Sequence, residues 1–524
     1  MTDIPVWRQF AITPPPKDSA ERVSVVIVGA GPVGLTLALD LAHKGHRVVV
    51  LNRLDCIPAE SKAICFSKRT LDIWQRLGVA APMLAKGVTW NVGKVFWRTS
   101  PEPVFQFDLL PVKGQQMPAF INLQQYHVEE MLLSEIARRP NIEIRWGHCV
   151  DKVQPGSESV RVHVECNGGR YEIECAWLVA CDGHRSTVRR ELGLDFEGRI
   201  FEENFLIADI KMHEERPAER WFWFDPPFNP GKSALLHKQP DDVWRLDFQL
   251  GWDIDRSEYI RPEYVEPLVR GMLGLDVKFS REWYSVYTFQ CRRMRRFVHG
   301  RVIFAGDSAH LVSPFGARGC NGGIADADNL AWKLDLILRG HPPRPLLESY
   351  NYEATVTADE NILFSSRSTD FMTPKSPASH ALRDATLELA REHLFARPFV
   401  NSGRLSTAVN YPHSPLNTED ENGSHWRGIA PGSPALDAPL AEGWLLDKLG
   451  DRFVLLSHGF RSVPQGVELL DVGLLRDSHP DLLARYDLSA GNAYLVRPDQ
   501  YIAARWRSPT TAKIAQALSR AQGA

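Results

Sequence analysis

Val23-Ser24-Val25-Val26-Ile27-Val28-Gly29-Ala30-Gly31-Pro32-Val33-Gly34 is the stretch whose reading decides the fold. Val23 to Val28 is a β-branched run of the kind a buried strand needs, and it stops at Gly29. Pro32 to His43 follows with apolar residues at helical spacing, and a second apolar run, Val48 to Leu51, comes after it. Strand, glycine turn, helix and strand in that order form a β-α-β unit opening a parallel sheet. Each glycine has a task. Gly29 permits the tight turn, Gly31 lets backbone N–H groups approach a pyrophosphate, and Gly34 lets helix pack on strand, with Ala30, Pro32 and Val33 completing the loop at a helix N-terminus that favours an anion. A lone GxGxxG marks many turns; between a strand and a helix it marks dinucleotide binding. The acidic residue expected at the end of the second strand is replaced by Asn52, whose amide still accepts and donates. Arg53 beside it either faces the pyrophosphate or adenosine end or is solvated.

Working outward, helices are expected over Ser67–Leu77 and Tyr126–Arg138, and antiparallel strands between Gly147 and Val179. From about Phe201 to Gln290 the sequence turns aromatic and alternating (Trp221-Phe222-Trp223-Phe224, Trp244 to Phe248, Trp283 to Phe289), the pattern of a mostly antiparallel sheet inserted into the first unit. Parallel-sheet character returns at Val302 to Ala305 and leads to a long helix from Gly322 to Arg339. A stretch rich in Pro, Asn and Ser reads as a connector carrying one helix, Ser379–Arg391, with Ser379 as its N-cap. The division expected is an extension (1–22), the first part of a dinucleotide-binding domain (23–200), the sheet (201–290), the second part of that domain (291–373), the connector (374–434) and a small α/β unit (435–524).

A chain of 524 residues with 44% hydrophobic and 24% charged residues is globular material for two or three domains. Its net charge of −3 supplies no field to draw in nucleic acid or an anionic membrane. The eight cysteines include no CxxC and no Cys/His cluster, which argues against a zinc site or a disulfide framework. Charges and Pro14-Pro15-Pro16 stand where a signal peptide needs an apolar run, and no uninterrupted apolar stretch of about 18 residues follows. The expectation is a cytoplasmic enzyme without metal, membrane or nucleic-acid partners.

Two further motifs carry chemistry: Leu178-Val179-Ala180-Cys181-Asp182-Gly183-His184-Arg185, and Val302-Ile303-Phe304-Ala305-Gly306-Asp307-Ser308-Ala309-His310 running on through Pro314-Phe315-Gly316-Ala317-Arg318-Gly319-Cys320-Asn321. With the glycine loop and in this order, they resemble the FAD-dependent aromatic hydroxylases of the para-hydroxybenzoate hydroxylase fold over nearly the whole chain. Trp221 to Pro227, Trp244 to Leu250 and Ser365 to Lys375 look like the 3-(3-hydroxyphenyl)propionate-type group. Leu446 to Leu449, Arg497-Pro498-Asp499 and Ala504-Arg505 resemble its thioredoxin-like extension, where the lack of any cysteine after Cys320 excludes dithiol chemistry. The fold implied is α/β: a Rossmann-like FAD-binding domain, an inserted antiparallel substrate sheet and a C-terminal thioredoxin-like domain.

The resemblance also implies roles. Asp182-Gly183 would lie near the flavin pyrophosphate and the nicotinamide path, Asp307 on the ribityl chain, and Pro314 at the reactive edge of the isoalloxazine. Backbone N–H groups of Gly319, Cys320 and Asn321 would stabilise the reduced flavin anion. Lys62-Ala63, after Ser61, replaces the usual Arg-Ala, Gln125 stands on the flavin side, and Val150 meets the adenine. Ile64 occupies a place where phenol hydroxylases carry an acid. The activity implied is reduction of FAD by NADH or NADPH, addition of dioxygen at flavin C4a to give an electrophilic hydroperoxide, and hydroxylation of a small phenolic substrate in aromatic catabolism, the cofactor carrying the hard steps. A homodimer is a family expectation.

Substrate contacts are sought on the inserted sheet. His237 is a base or a satisfied structural histidine; Arg245 clamps a carboxylate or pairs with Asp247 or Asp242; Tyr287 bonds a phenol oxygen or simply packs. Arg292 to Arg296 reads as a solvated face. Competing readings are a flavoprotein that oxidises or reduces without inserting oxygen, a flavin-dependent halogenase, which Trp221 to Pro226 matches only superficially, and a non-catalytic FAD-binding scaffold.

Overall fold

Strand Ala20–Val28 runs through the middle of an eight-stranded sheet, flanked in parallel by Val48–Asn52 and by Gly169–Ala180. Val25, Val26, Ile27 and Val48 to Leu51 are wholly buried, which is why these strands are continuous apolar runs rather than alternating ones. Ile142–Trp146 extends the sheet on one side. On the other, Gly169–Ala180 is long enough to have two partners: its first half pairs antiparallel with Val160–Cys166, and its end pairs parallel with Val302–Phe304. That last pairing brings the third motif beside the first two. In this computed structural model residues 5–16, 20–60, 62–109, 112–213, 216–400, 405–421, 426–474 and 480–524 are described. Ser61 lies outside them.

The helices at the site fall close to expectation. Lys68–Arg76 follows Ser67, Gln125–Ile136 starts one residue early, and Gly319–Leu338 starts three residues before the apolar periodicity becomes visible, because its first turn is Gly319-Cys320-Asn321. The connector helix is Pro377–Glu392, and its cap is Ser376, not Ser379: the Ser376 hydroxyl accepts from the Ser379 N–H and Ser379 returns a bond to the Ser376 backbone. With Pro377 at the first helical position, the serine three residues on completes a capping box.

The second eight-stranded sheet has the order His310–Leu311, Ser280–Met294, Phe196–Lys211, Val243–Gly251, Ser233–Lys238, Arg220–Phe224, Val92–Trp97, Phe105–Asp108. Its last two strands come from well before residue 201. Period-two alternation gives it two faces. Leu206, Ala208, Ile210, Leu236, Leu246 and Phe248 pack under helix Pro262–Leu273 through Val265 and Val269. The opposite face carries Phe205, Phe222, Phe224, Leu235 and Phe289 against Phe315 and Met372, and in the same alternation Asp209, Arg220, His237, Arg245, Asp247 and Tyr287.

The C-terminal unit is a four-stranded sheet, Val467–Asp471, Phe453–Ser457, Asn492–Val496 and Ile502–Arg507, with helices Pro480–Tyr486 and Thr511–Ala521. It docks through buried charge. Arg497 is bound by Glu353 and Asp499, Lys333 donates to Glu353 at 2.7 Å, and Asp451 meets Lys44 and Arg76. Breaking one member of such a network strands a buried charge, so the docking is strongly specified.

Candidate active site

The glycine loop is shaped by close approach. Gly29 has φ +107°, and a Cβ on Gly34 would lie 2.0 Å from the Gly29 carbonyl oxygen, whereas nothing stands within 4 Å of one on Gly31. Backbone therefore presses together at both ends of the loop and leaves its middle open, the shape a pyrophosphate requires. Asn52 does not reach outward as an acidic residue would. Its Oδ1 accepts from the Ala30 N–H at 3.0 Å and its Nδ2 donates to the Leu54 carbonyl at 2.9 Å, so it ties the loop to the end of the second strand. Arg53 is exposed, and Val150 is buried in strand Cys149–Pro155.

Asp182 Oδ2 accepts from the Thr187 and Val188 N–H groups at 2.7 and 3.2 Å, while its buried Oδ1 has no partner. Burial raises its carboxyl above the usual range against those bonds. Gly183 beside it has φ +77°. Gly306 approaches the first helix so closely that a Cβ would meet Val33 at 3.0 Å, and its N–H donates to Asp326, which also takes the His310 Nε2 bond at 2.6 Å. Asp307 follows with an exposed carboxylate. The protein around it nonetheless raises its pKa, opposed by His310, His184 and Lys62. Lys62, His184 and Asp307 thus share one electrostatic neighbourhood, although they come from three separate motifs.

Across this cleft lies the turn Pro314 to Arg318. Pro314 is exposed, and Phe315 plugs between Phe205 and Phe289, fixing the loop against the second sheet. Gly319, Cys320 and Asn321 open a helix of 20 residues, with no acid in its first turn. The Asn321 side chain is spent on structure: it accepts from Ser67 and Thr70 and donates to the Cys65 carbonyl. Burial, then Asp307 and Glu129, push the Cys320 thiol up, so it is inert as a nucleophile. Gln125 accepts from the Ala63 N–H at 3.1 Å and donates to Glu129 at 2.8 Å. Glu129, which the sequence reading missed, is buried and its pKa is pushed up to about 7 by desolvation. Its position four residues after Gln125 on the same helix was the available signal.

On the sheet face the sequence candidates separate. Arg245 is held bidentately by Asp209, Nε–Oδ1 and Nη2–Oδ2 both at 2.7 Å, and not by Asp242 or Asp247. Asp209 lies on the neighbouring strand, directly across from Arg245, a pairing that only the register could reveal. His237 Nε2 lies 3.3 Å from Asp247 Oδ2, and its buried Nδ1 has no partner. Burial and the nearby Arg220 lower the imidazole to about 4, so it is neutral at physiological pH. Tyr287, 39% exposed, has its hydroxyl pushed up to about 12 by desolvation and then by Asp307. The Arg292–Arg296 run is tied down by Arg293–Asp359 and Arg296–Glu348 pairs.

The model of an FAD binding domain family matches residues 22–365, more than half of the chain. The chain belongs to that family. FAD is therefore its cofactor, and the open loop middle, the unpartnered Asp182 oxygen and the Asp307 carboxylate fit such a group. Similar curated proteins are named as hydroxylases and monooxygenases: a probable NADH-specific resorcinol 4-hydroxylase of Rhodococcus jostii, 29% identical over 94% of this chain and 93% of that protein, and a 12-dehydrotetracycline 5-monooxygenase/anhydrotetracycline 6-monooxygenase of Streptomyces rimosus, 31% identical over 70% and 73%. Among solved structures, the anhydrotetracycline hydroxylase OxyS from the same species superposes with a TM-score of 0.74 at 27% identity, covering 96% of this chain and 99% of that one. Monooxygenation is the class of chemistry this family member shares with them. Among the described residues no helix is long and apolar enough to cross a membrane.

Proposed function

We propose that this FAD-dependent monooxygenase uses NADH and dioxygen to hydroxylate a small phenolic compound bound between the Pro314–Arg318 turn and the face of the second sheet that carries His237. Resorcinol, named for one relative, and 3-(3-hydroxyphenyl)propionate, named for another, represent the substrate class. Bound FAD supplies reduction by the nicotinamide and activation of dioxygen. The protein's own residues bind and orient, and one of them accepts a hydrogen bond from the phenol. Backbone N–H groups around Gly31 take the pyrophosphate, Asp307 takes the ribityl hydroxyls, and the N-terminus of Gly319–Leu338 favours negative charge at the flavin.

The observation that carries the reading is His237. Asp247 fixes the tautomer with the proton on Nε2, leaving Nδ1 as a buried acceptor without a partner. A phenol O–H donating to that nitrogen makes the ring more electron-rich, as attack on an electrophilic oxygen requires. Tyr287 stands at the Asp307 side, and the aromatic wall of Phe222, Phe315 and Phe289 excludes water.

The test is a panel of resorcinol, hydroxyphenylpropionates, hydroxybenzoates and nitrophenols, with NADH oxidation, oxygen uptake and hydrogen peroxide recorded together. Oxidation matched by oxygen uptake with little peroxide supports the reading. Recovery of all consumed oxygen as peroxide for every ring overturns it.

A further inference from the structure

Two arginines on the same sheet face are buried to nearly the same degree, Arg220 at 3% exposed and Arg245 at 3%. Arg245 has its carboxylate. Arg220, in the first position of strand Arg220–Phe224 and in register with His237, does not: its Nε and Nη1 are buried without a hydrogen-bond partner. What surrounds it is aromatic, with the Trp90 ring centre at 5.8 Å and the Phe222 ring centre at 5.0 Å. Other ionisable groups facing it are Cys65, whose thiol burial pushes up, Asp247, which is engaged with His237, and neutral His237 itself. A desolvated guanidinium left unpaired is costly, and its planar donors match a carboxylate or phenolate oxygen.

The lining around it is aromatic and apolar. Phe222, two residues along the strand on the same face, meets Phe315, Gly316, Met372 and Leu405 across a narrow void with room for little more than one water, and Leu405 packs in turn with Cys65 and Trp90. One end of the region is apolar and adjoins the flavin turn; the other holds the unpaired cation beside the His237 acceptor. We propose that Arg220 is the seat of an anionic oxygen of the substrate, so that the enzyme selects aromatic compounds carrying a carboxylate or binding as the phenolate. This rests on the phenol-hydroxylase reading and narrows it. Arg245, the sequence candidate for that role, is instead the neutralised partner of Asp209.

The test uses the FAD-loaded enzyme without nicotinamide, reading ligand binding from the perturbation of flavin absorbance. The probes are 3-(3-hydroxyphenyl)propionate against its amide, and 4-nitrophenol, whose phenolate is coloured. If the anion is a carboxylate, the acid binds on the order of tenfold more tightly than the amide; if it is a phenolate, bound 4-nitrophenol shows the phenolate band at pH values below its solution pKa. R220M abolishes the preference seen, R220K retains part of it, and ligand-free R220M melts no lower than the parent, because no native pair is lost. Neither preference in the parent enzyme, an undiminished preference in R220M, or a drop of several degrees in ligand-free R220M overturns the inference. Its failure is distinguishable from that of the hydroxylase reading: turnover with no anion preference sinks only this proposal, whereas an intact preference with all oxygen released as peroxide sinks only the reaction.

Discussion

At Gly29 and at Gly34 the flavin cleft is shaped by atoms that are absent, since a side chain there would collide with the Cys181 or the Gly29 carbonyl. On the facing sheet, Asp209 with Arg245 and Asp247 with His237 shape the site by groups that need one another. The first region tolerates nothing added at its two ends. In the second, neither member of a pair can be removed singly, yet a pair can be exchanged together. Backbone geometry makes a cofactor site general, and paired buried charges make a substrate site particular.

The sharpest way to break this contrast is at Gly34. Gly34→Val should give protein that is insoluble or lacks flavin, because the clash is with backbone and nothing nearby can yield; flavin absorbance of the purified protein checks it. Full flavin content would show that the cleft is not built by close approach. On the sheet, Asp209→Ala leaves Arg245 buried and without its bidentate partner, with an expected loss of about 3–5 kcal/mol in urea unfolding. The double variant with Arg245→Leu should recover much of that loss, as a paired site predicts and an additive one does not.

A smaller effect separates the two regions by pH. Glu129, beside the cleft, has a folded pKa of about 7 against an ordinary 4.5, so the folded state binds the extra proton and stability falls as pH rises from about 4.5 to 7. Glu129→Gln should remove that slope and leave the protein about 1–3 kcal/mol more stable above pH 7. His237, lowered to about 4, acts with the opposite sign: its contribution is lost as pH falls from about 6.5 toward 4, because protonation is then favoured in the unfolded chain. His237→Gln should flatten the acid limb only. Smallest of all is Asn52→Asp. Its Nδ2 donates to the Leu54 carbonyl, which a carboxylate would repel, so FAD affinity measured by dialysis should weaken by less than about tenfold while the fold survives.

The same contrast explains what could be read before the structure. The cofactor region announces itself because Gly29, Gly31 and Gly34 are required at fixed spacing along one continuous stretch of chain, and Gly183 and Gly306 each stand close behind a strand, patterns that are visible in a sequence. Even there the bonds of Asn52 were not legible, since which atoms an amide side chain bonds depends on a carbonyl two residues on. The substrate face was legible as an alternating aromatic sheet, but its membership was not: Val92–Trp97 and Phe105–Asp108 join from a distant segment. Asp209 as partner of Arg245, and Arg220 as the unpaired cation, depend on register between strands, which no local pattern encodes. The Ser376 cap was hidden by a simpler choice, a second serine three residues later that suits the same motif.

The two regions meet in one act, oxygen insertion into a phenol held against the sheet, and labelled dioxygen tests that most directly. With 18O2 and NADH, mass spectrometry of the product from the best-coupled phenol should find one heavy oxygen atom in the new hydroxyl. An unlabelled product, or no product with the label recovered as peroxide, would contradict it.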